Sequence, residues 1–150
     1  MRLQKTSFKG FSLLELLVVV VIISALALIA SPYLTGASSK AKLSAVKGNV
    51  ASGAVSASVF INLDGLNLEE AVTKVILKGN YPDSKGEEEV SDGQYVPSPF
   101  DSSLKAYGGK GPGQVEVTAN SDPAGILLQG YDGKGNPIPG VRKFVPLDES

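Results

Sequence analysis

The chain contains no cysteine, no histidine and no tryptophan among its 150 residues. The absence of cysteine excludes disulfide bonds and thiol chemistry. The absence of histidine removes the commonest general base. The absence of both histidine and cysteine removes the usual ligands of zinc. Nucleophile and base pairs built on these residues are therefore excluded, and the sequence predicts a protein that is not an enzyme.

Basic residues are scarce as well, with 14 against 15 acidic residues and a net charge of −1. Arg2, Lys5 and Lys9 lie in the first ten residues, which leaves eleven basic against fifteen acidic residues, a charge of −4, in the rest of the chain. A basic patch is the first sign of nucleic-acid binding. We therefore expect no specific nucleic-acid partner.

The longest apolar run extends from Leu13 to Ala30, and only Glu15 and Ser24 are polar within it. As a helix, this run would cover most of a bilayer core of about 30 Å. It is apolar on every side, whereas a surface helix of a soluble domain has one apolar stripe. Basic residues precede the run and do not return until Lys40, which places the N-terminus in the cytoplasm and predicts export of the remainder.

A cleavable signal peptide and a plain transmembrane anchor are alternative interpretations of this N-terminus. The small residues from Ala27 to Ser31 would suit signal cleavage. Against that interpretation, the run exceeds the usual 7–15 apolar residues of a signal peptide and contains Glu15 near its start.

Glu15 needs a partner, because an ionisable group in a membrane segment costs about 2–3 kcal/mol at the centre and less near the end. A cut between Gly10 and Phe11 would create an α-amino group one helical turn from Glu15. The carboxylate could pair with that amine or with the amine of a neighbouring subunit. Such a pair would fix the axial register between helices.

The segment Gly10-Phe11-Ser12-Leu13-Leu14-Glu15 resembles the class III signal of type IV pilins and pseudopilins. The resemblance implies that a prepilin peptidase cuts after Gly10 and N-methylates Phe11, and that an inner-membrane platform assembles the subunits into a homo-oligomeric helical filament. Glu15 would be the assembly carboxylate, and Pro32 falls where many members have a helix-bending proline. A methylated amine keeps its positive charge and can still pair with Glu15.

Three segments follow from this interpretation: a leader at 1–10, a transmembrane and filament-core helix at 11–32, and a head at 33–150 that includes the amphipathic half of the helix. The precursor would lie in the cytoplasmic membrane and the mature subunit in an extracellular pilus. The alternatives are a pseudopilin of a type II secretion system and a membrane-tethered ligand-binding module that does not polymerise.

Helical periodicity continues from Tyr33 to Phe60. Pro32 and Gly36 predict a bend or a loose region there, since both residues weaken a helix interior. The glycines of this region could equally be close-packing sites. One apolar stripe is predicted at Leu43, Val46, Val50, Ala54 and Ala57.

A turn is predicted at Asn62 to Gly65, followed by a capping box between Asn67 and Glu70 and a helix to Lys78. Residues 80–113 are rich in Gly and Pro and predict a loop, with at most a short strand at 94–96.

Strands are predicted at 114–118, 125–131 and 141–147, with a turn at 132–137 and an edge position for Pro146. The predicted fold is α+β: a long N-terminal α-helix packed on a small antiparallel β-sheet head, which is also the pilin fold that the resemblance implies.

No cofactor is expected. The acidic residues Glu87, Glu88, Glu89 and Asp92, or Asp132 with its turn carbonyls, offer oxygen ligands for calcium, but neither group has EF-hand spacing. A solvated acidic loop and an ordinary turn are the simpler interpretations.

Overall fold

The computed structural model describes residues 11–82 and 95–147, with the backbone alone for residues 31–35. The described elements are a long helix, a π-helical turn, a second helix and three strands, which confirms the α+β prediction. The chain divides into two compact units, Met1–Ser38 and Ser39–Ser150. Helix α1 (Leu13–Ser58) contributes residues to both units.

In the first unit, α1 contains the apolar segment Leu13–Ala30, with a mean hydropathy of 3.0 and none of its residues buried within the chain. It is the one helix in the described part of the chain that is long and apolar enough to span a membrane. Ser24 donates its hydroxyl to the carbonyl of Val20 at 2.8 Å, so this polar group is satisfied inside the helix. The backbone is helical at Pro32 and Gly36, and the bend proposed there stays a prediction.

In the second unit, the predicted stripe on α1 faces the core. Val46, Val50 and Ala57 are buried, and Leu43 and Ala54 are partly buried. The helix then widens into a π-helical turn (Val59–Leu63), so the predicted turn starts at Asp64 and not at Asn62. The chain remains helical through this segment because Ile61 is buried in the core.

Helix α2 (Leu68–Asn80) starts at the predicted N-cap, where the Asn67 side chain accepts the Glu70 N–H at 2.9 Å. The helix ends two residues later than predicted, because Asn80 is buried and its amide pairs with the backbone of Tyr107. The Asn80 Oδ1 accepts the Tyr107 N–H at 2.8 Å, and its Nδ2 donates to the Tyr107 carbonyl at 3.1 Å.

Three strands form an antiparallel sheet in the order β1 (Val115–Ser121), β2 (Ala124–Tyr131) and β3 (Pro137–Pro146). The first two predicted strands are formed, although β1 continues three residues beyond its predicted end, to Ser121. Pro146 lies in an edge strand of the described sheet, as predicted. The third prediction was wrong in its start, since β3 begins at Pro137. The cause is a bulge beside Gln129, whose amide donates to three carbonyls on both sides of it.

The predicted short strand at 94–96 is not formed at the two residues that are described, Tyr95 and Val96. The pairing nearby is a single bridge between Pro97 and Lys105. Position 94 lies outside the described residues.

The core of the second unit joins α1, α2 and the inner face of the sheet. Gly53 of α1 is a close-packing site, since a Cβ there would come within 2.5 Å of the Leu128 Cδ2. Tyr107 donates its hydroxyl to the Asn49 carbonyl at 2.5 Å and thereby joins the loop before β1 to α1. By contrast, a Cβ at Gly36 or Gly48 would meet no atom within 4 Å.

Candidate functional site at the start of the first helix

The first turn of α1 is closed by a pair of hydrogen bonds between Ser12 and Glu15. The Ser12 hydroxyl accepts the Leu14 N–H at 3.2 Å. In return, the Glu15 Oε2 accepts the Ser12 N–H at 2.9 Å. The Ser12 carbonyl also accepts the Leu16 N–H at 3.2 Å. This reciprocal arrangement is a capping box, which satisfies amides that the helix itself leaves unpaired.

The Glu15 carboxylate therefore lies at the positive end of the helix dipole, where a negative charge is favoured. One hydrogen bond occupies only part of its capacity, because a carboxylate has about four acceptor sites. It can hold the first turn and still accept a bond from a cationic group brought close to it.

Phe11 precedes the cap and lies outside the helix, with 82% of its surface exposed. Gly10 and the rest of the leader at 1–10 lie outside the described residues, so the cleavage site stays a prediction. Pro32 and Gly36 are about 25 Å or more from Glu15 along a helix, so they do not belong to this site. The structure thus brings together Ser12 and Glu15 beside Phe11.

Ser12 is the helix-capping residue of this site that sequence reasoning missed. The signal was present, because Ser12 and Glu15 have the Ser-x-x-Glu spacing of a capping box. The same spacing rule correctly predicted the Asn67 cap of α2.

Apolar side chains surround this polar turn, and Leu13, Leu14, Leu16 and Leu17 are all exposed within the chain. Such a surface is far larger than a soluble monomer normally presents to water. It requires a membrane or the apolar surface of other protein chains.

No group of three potential metal ligands occurs among the described residues. The carboxylate of Asp132 is used within its own turn, where it accepts the backbone N–H groups of Asn136 and Lys134. These hydrogen bonds lower the pKa of Asp132. Glu87, Glu88, Glu89 and Asp92 lie outside the described residues, and calcium binding there stays a prediction.

Residues 5–31 match the family model of the prokaryotic N-terminal methylation motif. This match confirms the resemblance to the type IV pilin and pseudopilin family and covers the capping box and the apolar segment. The motif fits a membrane-anchored precursor that is processed by a prepilin peptidase and exported, and it points to a structural subunit. Comparisons with curated proteins and with solved structures find no match.

Proposed function

We propose that this chain, which carries the N-terminal motif of type IV pilins and pseudopilins, is a structural subunit of an extracellular type IV pilus. The observation that carries the proposal is the methylation motif at the start of a helix whose apolar segment of 18 residues has none of its residues buried within the chain. In the precursor, lipid covers this helix. In the filament, the same helix of neighbouring subunits covers it, and the whole filament serves adhesion, motility or DNA uptake.

Glu15 selects the register of that bundle. After cleavage behind Gly10, the Phe11 nitrogen becomes a cation close to the capping box. An uncompensated carboxylate inside an apolar bundle would be costly, so a subunit is accepted in the register that places a cationic amine beside Glu15.

Cleavage is tested by mass spectrometry of the N-terminal peptide of the mature protein. We expect a chain that begins at Phe11 with a methylated amine. An intact Met1, or a chain that begins after Ala30, would contradict the proposal, because it indicates a plain anchor or an ordinary signal peptide.

Assembly is tested with Glu15→Gln, which removes the charge but keeps a side chain that can close a capping box. We expect normal export and cleavage but few or no filaments in sheared surface material under the electron microscope. Ser12→Ala is the matched control, since it weakens the cap and keeps the charge, and it should still form filaments. Abundant filaments from Glu15→Gln would refute the pairing.

The length and cellular location of the wild-type filaments distinguish a pilus subunit from a pseudopilin, which is the closest alternative. Long fibres on the cell surface are expected for a pilus. Fibres confined to the periplasm would instead identify a secretion pseudopilin, which carries the same motif.

A further inference from the structure

A groove runs along the second unit between α1 and the edge strand β3. Its main part has a volume of about 440 Å³, and its lining is mostly apolar: Ala51, Ala54, Val55 and Ser58 from α1, and Lys143, Phe144, Val145 and Pro146 from β3. Val55 is 67% exposed although it is apolar. Small side chains on one wall leave room for a bulky apolar group.

The groove has a basic rim. The groove continues past Ala51 and Lys143 into a second part of about 230 Å³ that is bordered by Lys47 and Arg142. All three cationic side chains are exposed. Within residues 11–82 and 95–147, the ion pair that forms joins Lys110 to Glu116 at 3.1 Å, so the rim cations have no carboxylate partner in the described part of their own chain.

An exposed apolar side chain with acidic residues near it in the sequence occurs at the end of the π-helical turn. Leu63 is 79% exposed, which makes it one of the most exposed apolar residues of this unit. Three exposed acidic residues follow it in the sequence: Asp64 comes directly after it, and Glu69 and Glu70 lie in the first turn of α2. We call Leu63 with these three carboxylates the acidic knob.

We propose that the acidic knob of one subunit docks into the basic-rimmed groove of a second copy of this chain. The inference rests on the proposed function and specifies which surfaces of the head meet in the filament. Leu63 would fill the apolar part of the groove, and Asp64, Glu69 and Glu70 would meet the rim cations Lys47, Arg142 and Lys143. Complementary charges of this kind fix the register of a contact and disfavour wrong partners.

The knob and the groove are different surfaces of the same molecule, so the contact is heterologous. A heterologous contact that does not close into a ring propagates into an open helical filament. Leu63 follows Ala51 by twelve residues, which is about 18 Å along a helix, so Leu63 cannot contact Ala51 of its own chain.

Disulfide cross-linking tests this contact cleanly, because the chain has no native cysteine. In filaments of the full chain that carries Ala51→Cys and Leu63→Cys together, oxidation should produce a ladder of multimers on a non-reducing gel. An intrachain bond is excluded, since bridged Cα atoms lie within about 7 Å of each other. Mixed filaments of the two single variants should give dimers that contain one chain of each kind.

The matched control pairs Ala51→Cys with Lys134→Cys, an exposed position in the turn between β2 and β3, and should give no ladder. If filaments of the Ala51→Cys and Leu63→Cys double variant form but give no ladder on oxidation, the docking is overturned and the proposed function stands. The absence of any wild-type filament would overturn the proposed function itself.

Charge-reversal variants provide a second test of the docking that needs no introduced cysteine. Lys143→Glu and Asp64→Lys should each lower the yield of filaments several-fold, and the double variant should recover most of it. Lys134→Glu, which changes the net charge equally outside the groove, should leave the yield unchanged. Losses in both single variants without recovery in the double variant would count against the docking.

Discussion

Two tyrosines of the second unit have pKa values that their surroundings raise. Tyr131 donates to the Glu116 Oε2 at 2.6 Å, and this hydrogen bond to a carboxylate raises the pKa of Tyr131 to about 12. Burial raises the pKa of Tyr107 to about 12 as well. Each tyrosine therefore stabilises the fold in its neutral form.

The stability of the protein should consequently fall at alkaline pH. Both pKa values are raised above the ordinary value of 10.0, so the contribution is complete below pH 10 and is lost as the pH rises toward 12. We expect urea unfolding to show this decline. Tyr131→Phe should be less stable than wild type at pH 7 and should show a shallower alkaline decline. An equally steep decline in Tyr131→Phe would show that Tyr131 does not contribute to it.

Single residues differ in how far the sequence predicts their roles. The apolar stripe residues Val46 and Val50 were predictable, because burial follows periodicity. The buried amide of Asn80 was not, since its partner Tyr107 lies 27 positions away and nothing local indicates the pairing.

At the scale of the helix, Gly48 and Gly53 provide a matched pair on α1. A Cβ at Gly53 would lie 2.5 Å from the Leu128 Cδ2 and 2.9 Å from the Tyr107 Cε1, whereas a Cβ at Gly48 would meet nothing within 4 Å. In a helix interior, alanine is favoured over glycine by about 1 kcal/mol.

The two substitutions should therefore have opposite signs. Gly48→Ala should raise the midpoint of thermal unfolding by up to a few degrees, because it gains helix propensity at no steric cost. Gly53→Ala should lower the midpoint, because the core must move to admit one methyl group. A gain in stability for Gly53→Ala would show that α1 and β2 are not packed this closely.

The elements themselves were predicted well where a periodic pattern determines them. α2, β1 and β2 follow from local periodicity and capping. The start of β3 could not be predicted in this way, because Pro137 and Pro139 argue against a strand. The pairing there depends on the side-chain amide of Gln129 in the neighbouring strand β2.

At the scale of the whole molecule, the two units differ in what they bury. The buried residues of the core cluster all come from residues 46–145, so the second unit contains its own core. The first unit has an apolar segment with none of its residues buried. Stability and anchoring are thus properties of separate parts of the chain.

A fragment of residues 39–150 should accordingly be soluble without detergent and unfold cooperatively on heating, as followed by circular dichroism. The chain from Phe11 to Ser150 should need detergent, because it retains the apolar segment. If the shorter fragment aggregated or melted without a transition, the head would depend on the first unit for its fold.

The capping box at Ser12 and Glu15 also acts as a boundary. Proteases cut chain segments that are exposed and free of regular hydrogen bonding. The box starts the helix at Leu13 and leaves Phe11 outside it, so the peptide groups of the first turn are held by hydrogen bonds while Phe11 is not part of the helix. The same two side chains that begin the helix thus protect its first turn from proteolysis.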